Sequence, residues 1–269
     1  MSDLTRSDGR SVGRLGFGGT SETSPRMVDY AYRCGMDYFF FYSFAFEGVV
    51  GGLSSLCKRH RHDVMVATGE EARNAKSLIQ TRDQVLQSLG TEFIDIFYAE
   101  YVSPKDSWGD VEKALETLSQ WKKDGTIRYV GVSTHDRQLA GDLAESGLVD
   151  VLMHRYNLAH RKSESTVLTR AMSADVPVVA FTCTRWGSLL RGNPKWSGKV
   201  PTASDCYRFS LGHRAVRVAL TAPNNLSELD ENVALLEKGE LSESERLDWS
   251  RYGDLVYGDG TDAFETRWP

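Results

Sequence analysis

The chain has 269 residues, 41% of them hydrophobic, and a net charge of −5 with Lys and Arg scattered among Asp and Glu. It carries no basic stripe, which argues against nucleic-acid binding, and no apolar run approaches the ~18 residues of a membrane span. Met1-Ser2-Asp3-Leu4-Thr5-Arg6 lacks an apolar signal core, and Cys34, Cys57, Cys183 and Cys206 form no C-x-x-C pair, so a cytoplasmic protein without disulfides is expected.

Short apolar runs then alternate with helical patterns. Arg14-Leu15-Gly16-Phe17-Gly18 reads as a first strand that breaks into the turn Gly19-Thr20. A helix over 25–33 opens on Pro25, which a first helical turn tolerates because its missing N–H has no intrahelical partner. A strand over 37–41, a helix over 49–59, a strand over 63–68 and a helix over 77–89 follow, the last stopped by Gly90. The basic run Lys58-Arg59-His60-Arg61-His62 reads as a solvated helix end. A strand over 94–98 leads to a helix over 110–123, whose apolar positions 111, 114, 115, 118 and 121 keep a 3.6-residue period. Gly125 stops that helix behind Lys122 and Lys123, and a β-branched run bounded by turn residues gives a buried strand over 127–132. A helix over 137–145, a strand over 150–153, a helix over 163–173 and a strand over 176–182 come next, with Pro177 tolerable near a strand start. The pattern closes with a helix over 207–211, a strand over 215–220, and helices over 226–237 and 241–252. The tail over 259–269 is polar at its start and is expected to be loose.

Parallel strands need crossover helices, so regular β-α alternation predicts a parallel sheet. Eight such units in ~250 residues predict one closed (β/α)8 TIM barrel over 1–269. An open doubly wound sheet is disfavoured, because Gly16-Phe17-Gly18-Gly19 lacks the acid that a dinucleotide fingerprint carries downstream.

Several segments, in order, resemble the aldo-keto reductases. They are Leu15-Gly16-Phe17-Gly18, Ile94-Asp95-Ile96-Phe97-Tyr98, Gly125-Thr126-Ile127-Arg128-Tyr129-Val130-Gly131-Val132-Ser133, Tyr156-Asn157-Leu158, Gly187-Ser188-Leu189-Leu190-Arg191-Gly192 and Leu229-Asp230-Glu231-Asn232-Val233. The resemblance spans nearly the whole chain and implies that barrel fold. It also implies carbonyl reduction with NADP(H), run by a Tyr proton donor, a Lys that lowers its pKa, an Asp that supports the Lys, and a His that polarises the carbonyl. A phenol of pKa near 10 exchanges protons poorly at neutral pH unless a buried cation shifts it. Aligned on the family's motifs, the Asp falls at Phe40, the Tyr at about Ala45 or Phe46, the Lys at Gly69 and the His at Glu100. On this alignment the whole tetrad is substituted. Of the cofactor grip, the resemblance implies Ser133, a stacking Phe181 in place of Tyr, Glu231 and Asn232. The family's basic residue for the 2′-phosphate falls near Asn224. NADP(H) binding is therefore expected to be weak or absent, with NAD(H) left open.

Catalytic groups of such barrels lie at the C-terminal ends of the strands. Those ends carry Tyr42, Glu100, His135 and His154 as candidate catalytic residues, and Tyr98, Arg155, Arg185 and Trp186 as candidate substrate-binding residues. A carboxylate and an imidazole can divide acid and base roles near neutral pH, and an Arg can hold a substrate carboxylate in two-point fashion. Each has a plainer structural reading, such as a Glu100–Arg155 ion pair. Strand residues alternate faces, so either His154 or its neighbours Met153 and Arg155 face the axis. No tight metal-ligand spacing occurs, and no metal is expected. Cys183, just past a strand end, reads as packed or as a nucleophile. The expected function is acid-base chemistry, such as isomerisation, elimination or cyclisation, on a small polar molecule, with Glu100 and His135 as the titrating pair. The alternatives are an NAD(P)H-dependent oxidoreductase with Tyr42 or Tyr98 as proton donor, and a non-catalytic binding barrel.

Overall fold

A computed structural model describes residues 3–259; most of the tail over 259–269 lies outside these described residues. Among them, eight parallel strands close into a barrel in sequence order: β1 (Leu15–Phe17), β2 (Tyr38–Phe40), β3 (Met65–Glu70), β4 (Ile94–Ala99), β5 (Ile127–Thr134), β6 (Val151–Arg155), β7 (Val178–Phe181) and β8 (Val216–Thr221). Closure runs through Leu15↔Ala219, Gly16↔Leu220 and Phe17↔Thr221. The crossovers are α1 (Pro25–Arg33), α2 (Glu47–His60), α3 (Ala75–Leu89), α4 (Trp108–Lys123), α5 (Arg137–Glu145), α6 (Thr169–Ser173) and α7 (Ala203–Leu211); α8 (Leu226–Val233) and α9 (Glu243–Tyr257) follow the last strand.

The pleat divides the core in two. Leu15, Phe17, Phe39, Phe97, Val130 and Leu152 pack outward against the helices. Tyr38, Met65, Ile96, Tyr98, Met153 and Val179 fill the barrel interior. Two glycines make room for the inner phenols. A Cβ on Gly16 would lie 2.7 Å from the Tyr38 ring, and one on Gly131 would lie 2.3 Å from the Tyr98 ring. The two buried hydroxyls satisfy each other at 2.9 Å, as buried polar groups must. At the opposite end of the strands the fully buried Asp95 accepts from Arg61 at 2.8 Å, Arg128 at 3.0 Å and the Val66 N–H at 2.9 Å, which fastens β3, β4 and β5 together.

Helix ends are set by local chemistry. Asn74 caps α3 by accepting from the Ser77 N–H, and Asp136 caps α5 through the Leu139 N–H. Thr202 with Asp205, and Ser242 with Glu245, form reciprocal capping boxes on α7 and α9. The Thr202 box starts α7 at Ala203, four residues ahead of the predicted start. The predicted 163–173 helix is a π-helical segment (Glu164–Leu168) followed by α6, and the predicted 226–237 helix ends as α at Val233 and continues as a 3-10 turn. The last helix, predicted over 241–252, runs Glu243–Tyr257. It lies against the β6 and β7 loops. Tyr252 donates to the Leu189 carbonyl at 2.8 Å, Arg185 donates to the Val256 carbonyl, and Arg161 pairs with Asp254.

Candidate functional site

Parallel strands end in step, so the loops after them converge on one rim. Three recesses open there. A cleft of about 750 Å3 runs over the ends of β1, β2, β7 and β8. A recess of about 510 Å3 lies at the ends of β2, β3 and β4. A recess of about 10 Å3, roughly water-sized, sits between the ends of β5 and β6 and the end of α9.

The β2–β4 recess contains Glu100. Ile96 and Tyr98 point inward on β4, and Glu100 continues that alternation one step past the strand end. It is 3% exposed, and its Oε1 has no hydrogen-bond partner. Burial, with the charges of Glu71 and Glu70, pushes its carboxyl well above the usual carboxylate range, while Arg73 acts weakly the other way. The side chain lies over Gly69. A Cβ on Gly69 would come 2.7 Å from Glu100 Oε1 and 2.4 Å from the Tyr98 carbonyl. Tyr42, exposed at the end of β2, donates to Glu71 and meets the Tyr101 ring edge-on at 5.7 Å. Its side chain borders both this recess and the larger cleft. Burial and the Glu71 carboxylate raise the Tyr42 phenol. Phe40 points into the barrel with its ring edge toward Tyr98, and Ala45 is exposed in the following loop.

His135 belongs to a different recess. It packs against Phe181 at 5.1 Å and Tyr101 at 5.6 Å, and it lines the small recess with Arg155, His154 and His160. Burial, then the Arg155 charge, lowers its pKa to about 4, so the ring is neutral at pH 7. The expected Glu100–His135 titrating pair is therefore divided between two recesses, Glu100 lining the one at the ends of β2, β3 and β4 and His135 the one at the ends of β5 and β6.

The pleat also decides the β6 candidates. Met153 and Arg155 take the inner face, and His154 turns into the helix layer. The His154 Nδ1 is 2.8 Å from the Thr134 carbonyl and its Nε2 3.0 Å from the Ser163 hydroxyl. Burial lowers its pKa to about 3. A fully buried imidazole with both nitrogens engaged is a packing element, so of the two orientations left open by the sequence His154 takes the outward one, away from the rim where it was a catalytic candidate. Tyr98 is corrected likewise: burial and the Tyr38 hydroxyl hold its phenol inside the barrel. Arg185 is 3% exposed, donates to the Val256 carbonyl and sits 6.0 Å over the Tyr257 ring, so it fastens α9 rather than facing the cleft. Arg155 is buried beside the histidines. The alternative of a Glu100–Arg155 ion pair is not met either, since Glu100 lines the β2–β4 recess and Arg155 the recess of β5 and β6. Cys183 is fully buried, and burial raises its thiol to about 12, which leaves no thiolate at neutral pH.

The large cleft gathers Phe181, Trp186, Glu231 and Asn232. Trp186 is 41% exposed on a loop where Arg185 and Trp186 hold φ of 51° and 49°, a region that non-glycine residues seldom adopt. Asn232 donates to the Thr221 hydroxyl at 2.8 Å, and its buried Oδ1 has no partner. That oxygen is ready to accept from an exocyclic amine, and Phe181 offers a ring face, so the cleft fits a nucleoside. A phosphate fits less well. Among the described residues the lining includes Glu228 and Glu231 and no Lys or Arg, and an anion there meets like charge. Ser133 accepts from the Tyr101 N–H at 2.9 Å, which leaves its hydroxyl proton to donate.

Sequence reasoning missed Glu71, Arg73 and His160. The run Glu70-Glu71-Ala72-Arg73 directly after a strand was the available signal for the first two. His160 donates from Nδ1 to Asn157 Oδ1 at 3.1 Å, a contact that depends on a loop conformation.

Comparison with known proteins follows the same architecture. A model described as the aldo/keto reductase family matches residues 20–198. The L-glyceraldehyde 3-phosphate reductase of Escherichia coli (strain K12) is 28% identical over 188 residues, covering 67% of this chain and 53% of that protein. The NADH-specific methylglyoxal reductase of the same organism is 23% identical over 104 residues, 39% of this chain and 32% of that protein. The chain thus spans about half the length of the first relative and a third of the second. Among solved structures, an aldo-keto reductase of Bacillus halodurans in its holo form superposes with a TM-score of 0.77 at 19% identity, covering 94% of this chain and 96% of that one. An aldo/keto reductase of Klebsiella pneumoniae in complex with NADP and acetate gives 0.72 at 17%, covering 94% and 95%. At such identities these two likenesses show the fold.

Proposed function

This chain belongs to the aldo/keto reductase family, and from that premise we propose that it is an enzyme that moves protons on a small polar molecule and does not run the family's Tyr–Lys carbonyl reduction. The observation that carries this reading is the Glu100 carboxyl: buried, unpartnered at Oε1, and lying over Gly69 where the resemblance sets a Lys. A carboxyl held above the usual range keeps its proton to higher pH than an ordinary carboxylate, and after it gives up that proton the carboxylate left in a poorly solvated site is a stronger base than an exposed one. Isomerisation, elimination and cyclisation are within its reach. His135, neutral and in the neighbouring recess, is a positioning or relay group in this reading, not Glu100's direct partner. Free thiols at Cys34, Cys57, Cys183 and Cys206 fit a cytoplasmic enzyme.

The test is proton exchange. Small hydroxy, oxo and amino compounds are incubated with the protein in D2O and followed by NMR for conversion or deuterium uptake. Glu100→Gln should lower the rate at least ~100-fold while the melting temperature stays within a few degrees. Turnover equal to wild type removes Glu100 from the mechanism.

A second reading has one observation of its own, the unpartnered Asn232 Oδ1 in a cleft of about 750 Å3 walled by Phe181. Asn232, Glu231, Phe181 and Ser133 would hold a nicotinamide dinucleotide, which supplies hydride when bound. In that case Glu100 or Tyr42 provides the proton. The absence of a cation along the lining favours a free ribose hydroxyl over a 2′-phosphate. Fluorescence titration separates the readings: submicromolar NADH or NADPH binding supports an oxidoreductase, and no binding at millimolar concentration supports the proton-transfer enzyme.

A further inference from the structure

We propose that the recess beside Glu100 binds a small organic cation, a primary or secondary ammonium on a short apolar stem. This names the ligand class of the site read above as catalytic and rests on that reading for its chemistry, although binding is measured separately from turnover.

Charge is the first argument. Glu70, Glu71 and Glu100 line the recess, and among the described residues no Lys or Arg does. The nearest cation, Arg73, donates to the carbonyls of Glu70, Glu71 and Glu100 and to the Asp106 carboxylate at 3.2 Å. Its charge is therefore largely matched by Asp106, and the recess stays net negative.

The second argument is hydrogen bonding rather than charge. Glu100 is 3% exposed, and its Oε1 has no hydrogen-bond partner. A buried acceptor without a donor is unfavourable, and a ligand N–H removes the deficit. The other two carboxylates are differently placed. Glu70 accepts from the Ala72 N–H and the Thr81 hydroxyl, so both its oxygens are engaged. Glu71 accepts from Tyr42 and retains lone pairs at the exposed side. A donor entering the recess thus meets Glu100 on the inside and Glu71 on the outside.

The walls select the kind of cation. Phe41 and Phe44 pack edge-to-face at 5.6 Å, and Tyr42 stands beside them. Aromatic walls favour an organic ammonium through its stem and through cation–π attraction. A metal ion is disfavoured, since the described residues assemble no group of three metal-capable side chains. About 510 Å3 is ample for a small organic ligand.

Binding has a proton consequence. In the free protein Glu100 is faced by Glu70 and Glu71 from β3 and its loop, by Arg73, and by the neutral phenols Tyr98 and Tyr101. An ammonium brought against it favours the carboxylate. The proton population that Glu100 holds in the free protein then goes to solvent, the ligand keeps its own proton, and the bound complex holds one ion pair with the Glu100 carboxylate.

Calorimetric titration of the full chain at pH 7 with n-butylammonium chloride tests this, with n-butanol and sodium butyrate as neutral and anionic isosteres. Repeating it in two buffers of different ionisation heat counts the protons. The expected result is saturation by the amine, at least ~10-fold weaker binding of both isosteres, and net proton release on amine binding. Glu100→Gln should weaken amine binding at least ~10-fold, and so should Glu71→Gln, a substitution at an exposed position that leaves the core intact. Equal binding of the three probes, no binding of the amine, or amine binding indifferent to both substitutions overturns the proposal. Turnover of a neutral substrate that depends on Glu100, in a protein that ignores the amine, removes the cation site alone. Amine binding without any proton exchange removes the catalytic reading alone.

Discussion

Gly69 and Glu100 are best understood as one unit. Strand pairing sets Gly69 opposite Tyr98, and the Glu100 side chain folds back over the bare glycine. Any side chain at Gly69 must displace a carboxyl and press on a backbone oxygen, at 2.7 and 2.4 Å from its Cβ. Gly69→Ala is therefore expected to cost about 1–3 kcal/mol, read as a lower urea midpoint, and to disturb Glu100-dependent activity. Gly69→Lys should not create carbonyl reductase activity, because the phenols below it, Tyr38 and Tyr98, are already bonded to each other. An alanine variant as stable as wild type shows that this contact relaxes freely. The presence of Glu100 and the lack of a lysine near it were legible in the sequence. Its contact with Gly69 was not, because the two residues are far apart in the chain and meet only through β3–β4 pairing.

At the scale of elements, the pleat and the last helix decide which candidates reach the rim. On β6 one register choice sends Arg155 inward and His154 outward, and period-2 alternation in a strand buried on both faces carries no polarity signal to choose between them. α9 has a comparable effect on Arg185, which it draws to the Val256 carbonyl. Its seat is tight: a Cβ on Gly253 would lie 2.0 Å from the Leu158 carbonyl. Gly253→Ala should loosen α9, lower the melting temperature by several degrees and speed proteolysis near the C-terminal end of the described chain. Unchanged proteolysis argues that α9 has slack. Thr202→Ala, which removes one half of the α7 capping box, should cost about 1 kcal/mol in chemical denaturation. That box was visible in the sequence as Thr202 followed three residues later by Asp205, yet the helix was predicted to start later because its first turn lacks an apolar period.

Across the whole molecule, buried imidazoles set the acid limit. His154 and His160 are nine-tenths buried or more, and burial first, then neighbouring positive charge, lowers them to about 3 and about 2; His135 is lowered to about 4. Their folded pKa values lie below the unfolded value, so their neutral forms add no destabilisation above about pH 6.5. As pH falls from there toward 4 the unfolded chain takes up protons that the folded chain refuses, and stability drops by up to about 1.4 kcal/mol per pH unit for each histidine. Glu100 has the opposite sign. Its folded pKa is raised, so its contribution is intact below the unfolded carboxylate range and is lost as pH rises through the folded value. With His213 also lowered and Asp37 also raised by burial, four imidazoles stand against two carboxyls and predict a net loss on acidification from pH 6.5 to 4.5, measurable as a falling urea midpoint. A midpoint flat over that window contradicts the neutral assignments. His154→Asn should flatten it in part.

The sequence by itself determined the barrel, because helix and strand periods, glycine stops and chain length are local quantities that leave few other ways to bury eight apolar strands. It also determined which chemistry-bearing residues follow strand ends. Only the tertiary structure decided which of them share a cavity. The closed sheet set Glu100 with Glu71 and Tyr42, moved His135 to the next recess with Arg155, and took His154, Tyr98 and Arg185 away from the rim. That sorting depends on which face each strand residue takes and on where α9 lies, and both are fixed by packing across the whole barrel.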